Sequence, residues 1–250
     1  MQTERLEIDS LIWGRNVLHI TAFSTTDDFK LHESTYLEEY APACVTAAVN
    51  VADLERIEYL TKAGFTPVDC QLQLKASFRR QFRPPAPNFT YRQVVTHAQL
   101  DEVLSIAAEL DFCDRFSRDP LVPPGFSTRR YAEYLRQSFA RPSDEIWSVC
   151  DADSGRILTF RSHRKIKEQE VQLLLGGVRR ELHGEGLGAI STHFCFNQMA
   201  AAGIKRGSTR ISISNKPVFD LEVTHFGFRY HSAALILRKC YPLPATGEPL

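Results

Sequence analysis

Residues 171–202, VQLLLGGVRRELHGEGLGAISTHFCFNQMAAA, restrict the possible folds more than any other stretch. The mostly apolar run 171–175 ends at Gly176 and Gly177, which suits a buried strand and is too short for a helix. A charged turn (Arg179, Arg180, Glu181) leads into His183-Gly184-Glu185-Gly186-Leu187-Gly188. Ile190, Phe194 and Met199 then recur among small residues at helical spacing, and Gly203 is a natural C-terminal stop. The order predicted is strand, glycine-rich turn, helix. Such a turn lets the backbone approach a ligand closely and aims the unpaired N–H groups of the helix start at an anion. The alternative is a tight strand–helix connection with no ligand.

The spacing narrows the ligand. A dinucleotide fingerprint needs G-x-G-x-x-G with an acidic residue about 20 positions on, and a phosphate-binding P-loop needs Gly-Lys-Ser/Thr. Here the glycines run G-x-G-x-G, and the strand that follows ends at Asn215. Across all 250 residues the 30 basic and 30 acidic side chains cancel, which argues against a nucleic-acid partner. No run approaches the roughly 18 apolar residues of a membrane span, and the first ten residues do not read as a signal peptide. The six cysteines are scattered without a C-x-x-C pair, as expected of free thiols in a cytoplasmic protein. No metal site is expected.

The remaining chain divides at residues 78–90, where FRRQFRPPAPN combines arginines with prolines and reads as a linker. Ahead of it, residues 1–77 form a small unit. Short strands are expected at 11–13 and 17–20, a weak helix at 36–40 and a buried strand at 44–49. A helix carrying Leu54, Ile57 and Leu60 on one face starts from Asn50 or Asp53, and an alternating strand covers 70–74. Behind the linker, residues 91–241 hold a strand at 91–95, an amphipathic helix at 97–110 and a second helix at 131–139. A strand hairpin lies at 146–162, followed by the glycine-turn unit, a strand at 209–214, a helix from Asn215 to about 226 and a last strand at 234–240. Residues 242–250 form a tail. The loop 111–125 is long and rich in aromatic and charged residues, as functional loops often are. Asp111, Asp114, Arg115 and Phe116 in it would suit a polar, ring-shaped ligand.

This element order, together with Gly186 and Gly188 after the central strand, resembles the GCN5-related N-acetyltransferases (GNATs) across residues 91–241. In that superfamily the glycine turn follows an Arg or Gln, and His183 stands there in this chain. A second motif agrees: Asn215, then Gly227-Phe228 one helix later. The resemblance implies an α/β (α+β) fold whose mixed, mostly antiparallel sheet is split by the acyl-donor site, with a smaller α/β half-module ahead of it. It implies acetyl-CoA as co-substrate, held by Leu173, Leu175, Val178, His183, Gly184, Gly186, Leu187, Gly188 and Asn215. Backbone groups around 173–175 would polarise the thioester carbonyl. The family tyrosine that protonates the leaving thiolate falls, by count from Asn215, on Glu222. Glu222 is therefore expected either to accept the amine proton or to be an ordinary exposed helix carboxylate. Tyr230, His225 or His231 would have to supply an acid.

Leu60-Thr-Lys-Ala-Gly64-Phe65 and its strand repeat the pattern of His225-Phe-Gly227-Phe228 and its strand, a faint internal duplication. With Trp13 and the 111–116 loop, the layout resembles the dTDP-fucosamine acetyltransferase type within the superfamily. The implied reaction is acetyl transfer to a primary amine, first of all an amino sugar of a nucleotide-sugar used in surface-polysaccharide synthesis. The rival expectations are another amine (protein, polyamine, antibiotic) or a protein that keeps the fold for binding or assembly without turnover. Exposed halves of the split sheet would allow a homodimer.

Overall fold

The computed structural model describes residues 1–78, 88–112 and 114–241, so most of the expected linker and the tail lie outside the described residues. The first half comprises β1 (Gln2–Arg5), α1 (Glu7–Trp13), β2 (Val17–Ala22), α2 (Phe29–Tyr40), β3 (Cys44–Asn50), α3 (Leu54–Lys62) and β4 (Thr66–Ser77). The second comprises β5 (Phe89–Gln93), α4 (His97–Ala108), α5 (Arg115–Arg118), α6 (Phe126–Ala140), β6 (Asp144–Asp151), β7 (Ile157–Lys167) and β8 (Glu170–Val178). It continues through α7 (Leu187–Ala201), β9 (Arg206–Ser212), α8 (Lys216–Phe219), a π-helical turn (Asp220–His225) and β10 (Arg229–Cys240).

One local expectation fails. Residues 11–13 are the end of helix α1, not a strand. Asp9 and Ser10 on this helix are buried, Trp13 packs edge-on against Phe126 at 5.4 Å, and Gly14 closes the helix at φ 74°. Tertiary contact overrides the β preference of Leu-Ile-Trp. Of the two caps considered for α3, Asp53 is used, accepting from Arg56 N–H. Asn50 instead accepts from Ala52 N–H in the preceding turn.

All ten strands join one sheet in the order β1-β2-β3-β10-β4-β9-β8-β7-β6-β5. The order is symmetric about the β10–β4 pair. On one side β2 and β3 are parallel and β1 is antiparallel to β2; on the other β8 and β9 are parallel and β7 is antiparallel to β8. Helix α2 links β2 to β3 as α7 links β8 to β9, and α3 links β3 to β4 as α8 and the π-turn link β9 to β10. Each half gives its last strand to the other: β4 pairs with β9, and β10 with β3. The cores record the same exchange. Leu74 and Phe78 are buried among Phe194, Phe196, Ile211 and Phe228 of the second half, while Leu237 is buried among Val45, Leu60 and Phe65 of the first. A third core under α4 and α6 gathers Val103, Ile106, Leu135 and Phe160.

Fold class is as expected, a mixed and largely antiparallel open sheet with helices. The duplication seen faintly as two Gly-Phe modules extends to four strands and two crossovers per half. Phe65 and Phe228 are both buried. Among the described residues no helix is long and apolar enough to cross a membrane.

Candidate functional site

Parallel strands β8 and β9 pair only at their start, 170–172 against 206–208. Beyond that, β8 is bonded to β7 alone and β9 to β4 alone, so the two arms diverge. A bulge causes this. His163 pairs with Leu173 but Arg161 with Gly176, so β8 spends one extra residue against β7. A bulge bends its strand and increases its twist. Ser162 stabilises it: its hydroxyl accepts from Leu175 N–H and donates to Leu175 O, both at 3.1 Å. The Leu175 amide is thereby committed to Ser162, whereas among the described residues the inner edges of 173–178 and 209–212 have no neighbouring strand on the side of the split. Backbone polar groups on such edges need partners, which solvent or an extended ligand can supply.

The top of the split is the glycine turn. Residues 180–182 make one 3-10 turn, Gly184 has φ 91°, and Gly186 at φ 77° is the N-cap of α7, with no side-chain cap. Left-handed backbone is what requires glycine at these two positions. Gly188 sits between the arms: a Cβ there would lie 3.9 Å from Val178 and 3.8 Å from Leu221 of the π-turn. His183 turns away from the helix start, its Nε2 lying 3.0 Å from Val178 O, and so braces the turn. Leu187 is buried beneath. Asn215 ends the other arm and caps α8 by accepting from Val218 N–H at 3.4 Å.

The first half offers a comparison for this helix start. Its counterpart α2 is capped by Asp28, whose carboxylate accepts from Lys30 and Leu31 N–H, and neighbouring Asp27 pairs with the Met1 ammonium at 3.1 Å. A carboxylate already fills the anion position there. Of these two matched crossover helices, only α7 starts without a side-chain cap.

Across the split, Arg161 of β7 extends over Gly176 and donates from Nη1 to Glu222 Oε1 at 3.0 Å. A Cβ on Gly176 would lie 3.2 Å from Arg161 Cγ, so the absent side chain is what admits the guanidinium. Glu222 is 2% exposed, which excludes the expectation of a solvated helix carboxylate. Its second oxygen, Oε2, is buried without a hydrogen-bond partner among the described residues. Two positions along β7, on the same face, His163 is buried with Nε2 3.4 Å from Glu145 Oε2; that carboxylate also accepts from Trp147 Nε1. His163 Nδ1 is likewise buried without a hydrogen-bond partner among the described residues. Burial depresses the His163 pKa, against the raising influence of Glu145. Tyr230 extends from β10 into solvent, 63% exposed. His225 Nε2 lies 3.2 Å from His193 Nε2, and His231 Nε2 lies 3.0 Å from Lys75 Nζ.

The four expected acceptor-loop residues occupy two places. Asp111 is exposed and 3.6 Å from Arg180. Asp114 caps α5 and accepts from Ser127 Oγ, while Arg115 and Phe116 face the first half. Asp9 of α1 receives Arg130 Nε at 2.5 Å and Arg115 Nη2 at 3.8 Å, and both guanidinium groups lie over the Phe116 ring. This network joins the loop to the first half. Arg161, Gly176 as its passage, and the Glu145–His163 pair were not found from sequence. Alternating polar residues on a strand carry no local sign of what they reach.

No protein-family model matches the sequence, and no curated protein matches it. Solved structures do match. A GCN5-related N-acetyltransferase from Sphaerobacter thermophilus aligns with TM-score 0.67 at 14% identity, over 95% of this chain and 76% of its own. A tandem GNAT protein from the clavulanic acid biosynthesis pathway gives 0.62 at 9%, over 90% and 75%. A glucosamine N-acetyltransferase region of a fungal multi-domain GH3 β-N-acetylglucosaminidase gives 0.64 at 10%, over 95% of this chain and 31% of the larger one. At such identities the likeness is one of fold, and the fold is that of the GCN5-related N-acetyltransferases.

Proposed function

We propose that this chain is an acetyl-CoA-dependent N-acetyltransferase acting on a primary amine, with an amino sugar of a nucleotide-sugar as the first acceptor class. The observation that carries the reading is the split between β8 and β9 under an uncapped glycine helix start. The residues suit the donor: N–H groups of 186–188 for a pyrophosphate, and strand edges with open backbone groups for an amide-bearing arm. Acetyl-CoA, when bound, supplies an activated thioester.

The chain's own groups do the rest. Strand edges orient the donor against the amine, and orientation alone is worth about 7–11 kcal/mol. An arginine-paired carboxylate accepts hydrogen bonds, so Glu222 Oε2 receives the amine proton, directly or through water. Arg161 offers positive charge where a thiolate departs. His163, neutral and oriented by Glu145, is a second proton acceptor on the same face. The amino-sugar class rests on the sequence resemblance, and the fungal glucosamine N-acetyltransferase region shares the fold. Glu222 in the place of the family tyrosine favours a second reading, an acyl-CoA-binding protein without turnover.

Thermal unfolding with acetyl-CoA, CoA, NAD and ATP tests the donor. At a hundred times Kd a ligand stabilises by about 2.7 kcal/mol; CoA species alone should do so. Thiol release from acetyl-CoA with dTDP-amino sugars, glucosamine, polyamines and lysine peptides then tests turnover. A CoA shift with no thiol release from any amine selects the binding reading, and no CoA shift removes both.

A further inference from the structure

Cys44 and Cys240 stand directly opposite each other on β3 and β10. The hydrogen bond from Tyr241 N–H to Ala43 O makes the next pair along the ladder a hydrogen-bonded one. Pairs alternate in an antiparallel ladder, so Cys44 and Cys240 form a non-hydrogen-bonded pair. Their Cα atoms are then about 4.5 Å apart, with both side chains on one face. A disulfide tolerates Cα separations of about 4.4–6.8 Å. We propose that Cys44 and Cys240 are a thiol–disulfide modification site that a disulfide oxidant of the glutathione class closes reversibly.

The two sulfurs differ in the way such an exchange needs. Cys240 is partly exposed, whereas Cys44 is 2% exposed. The Cys44 S–H donates to the Val45 carbonyl, 3.8 Å away, and the Cys240 sulfur stands opposite it across the ladder. Arg238 Nη1 donates to Cys240 Sγ at 3.5 Å, the same guanidinium also pairing with Asp119. The hydrogen bond from Cys44 and the Arg238 charge draw the Cys240 thiol below its ordinary pKa, although burial and Asp119 oppose them. The Cys44 thiol is held above its own, by that hydrogen bond first and burial second. Cys240 is thus the thiolate that meets the oxidant, and Cys44 the one that resolves it.

The steps balance. Cys240 thiolate attacks one sulfur of glutathione disulfide, releasing one glutathione thiolate, which takes up the proton Cys240 has lost. Cys44, on giving up its proton, then displaces the second glutathione and closes the Cys44–Cys240 bond. Two protein thiols are oxidised and one glutathione disulfide is reduced to two glutathione thiols. No other described cysteine has this arrangement: Cys70 faces Leu235, Cys150 faces Thr90 and Ile157, and Cys195 lies in the core on α7. The bond would staple the strand given by the second half to the half that receives it.

The test uses the full, reduced chain equilibrated in glutathione buffers from reduced to oxidised, quenched in acid, alkylated in denaturant and digested without reductant. One cross-linked peptide pair, 44 with 240, should appear on the oxidised side and vanish with dithiothreitol, leaving the other four cysteines alkylated. In Cys44→Ser a stable glutathione adduct should collect on Cys240, because nothing resolves it. Cys44 and Cys240 both alkylated in fully oxidised buffer would overturn the proposal. So would a wild-type Cys240 that stops at the glutathione adduct. Neither readout depends on acyl transfer, so failure here and failure of the proposed activity are separate results.

Discussion

Arg161 and Glu222, 61 positions apart, meet at 3.0 Å across the open side of the split, with the guanidinium stem lying where a side chain on Gly176 would be. One partner belongs to the β7–β8 arm and the other to the turn that follows β9. Where the two arms have no shared strand pairing, this ion pair connects them. It also leaves one carboxylate oxygen buried and unused, at a cost that is typically about 1–3 kcal/mol for an unsatisfied group. A ligand hydrogen bond would remove that cost.

Glu222→Gln should fold and retain the acetyl-CoA thermal shift while losing turnover by about 10²–10⁴-fold, the usual scale for a lost proton acceptor. Arg161→Ala should instead lose about 3–5 kcal/mol of stability, since it strands a buried carboxylate. Denaturant melts beside initial rates separate the two effects. Equal turnover in wild type and the Gln variant would remove Glu222 from the chemistry.

Gly176→Ala puts a Cβ 3.2 Å from both Arg161 Cγ and Phe160 O. The expected cost is about 1–3 kcal/mol, as for other overpacked sites, together with weaker donor binding as the guanidinium is displaced. Gly207→Ala is the contrasting case, placing its Cβ 2.9 Å or less from two atoms of the Phe78 ring. It should destabilise more than Gly176→Ala, through the core alone. Urea midpoints rank the two, and a milder Gly207→Ala would mean that Phe78 yields easily.

Acid should weaken the fold through two histidines. Burial, the largest cause for both, holds His163 and His19 below the ordinary 6.5; Glu145 opposes it at His163, and Arg115 adds to it at His19. A depressed pKa means that the unfolded chain binds more protons between the folded value and 6.5, so stability climbs with pH through that window. Midpoints should be level above about pH 7 and fall as pH drops below about 6.5. His163→Gln should remove part of the slope; an unchanged slope in that variant would assign the effect elsewhere.

Asp9→Ala should cost about 3–5 kcal/mol by leaving Arg115 and Arg130 without their shared buried carboxylate. Because Asp9 lies in the first half and both arginines in the second, the loss should appear as one cooperative transition at a lower midpoint. Two separate transitions would show that the halves unfold independently despite their exchanged strands.

Much of this molecule is set by local sequence. The apolar run before Gly176-Gly177, the glycines at positive φ and the periodic helix after them specify strand, turn and uncapped helix start. Period and backbone freedom are local properties. The paired Gly64-Phe65 and Gly227-Phe228 modules betray the duplication for the same reason. Strand order is another matter. Nothing in residues 66–77 or 229–240 says that each will pair inside the opposite half, because alternation selects a buried face but not a neighbour. The helix at Glu7–Trp13 depends on Trp13 meeting Phe126, and the burial of Glu222 on an arginine two strands away. Those contacts join residues distant in the chain, so only the assembled sheet determines them.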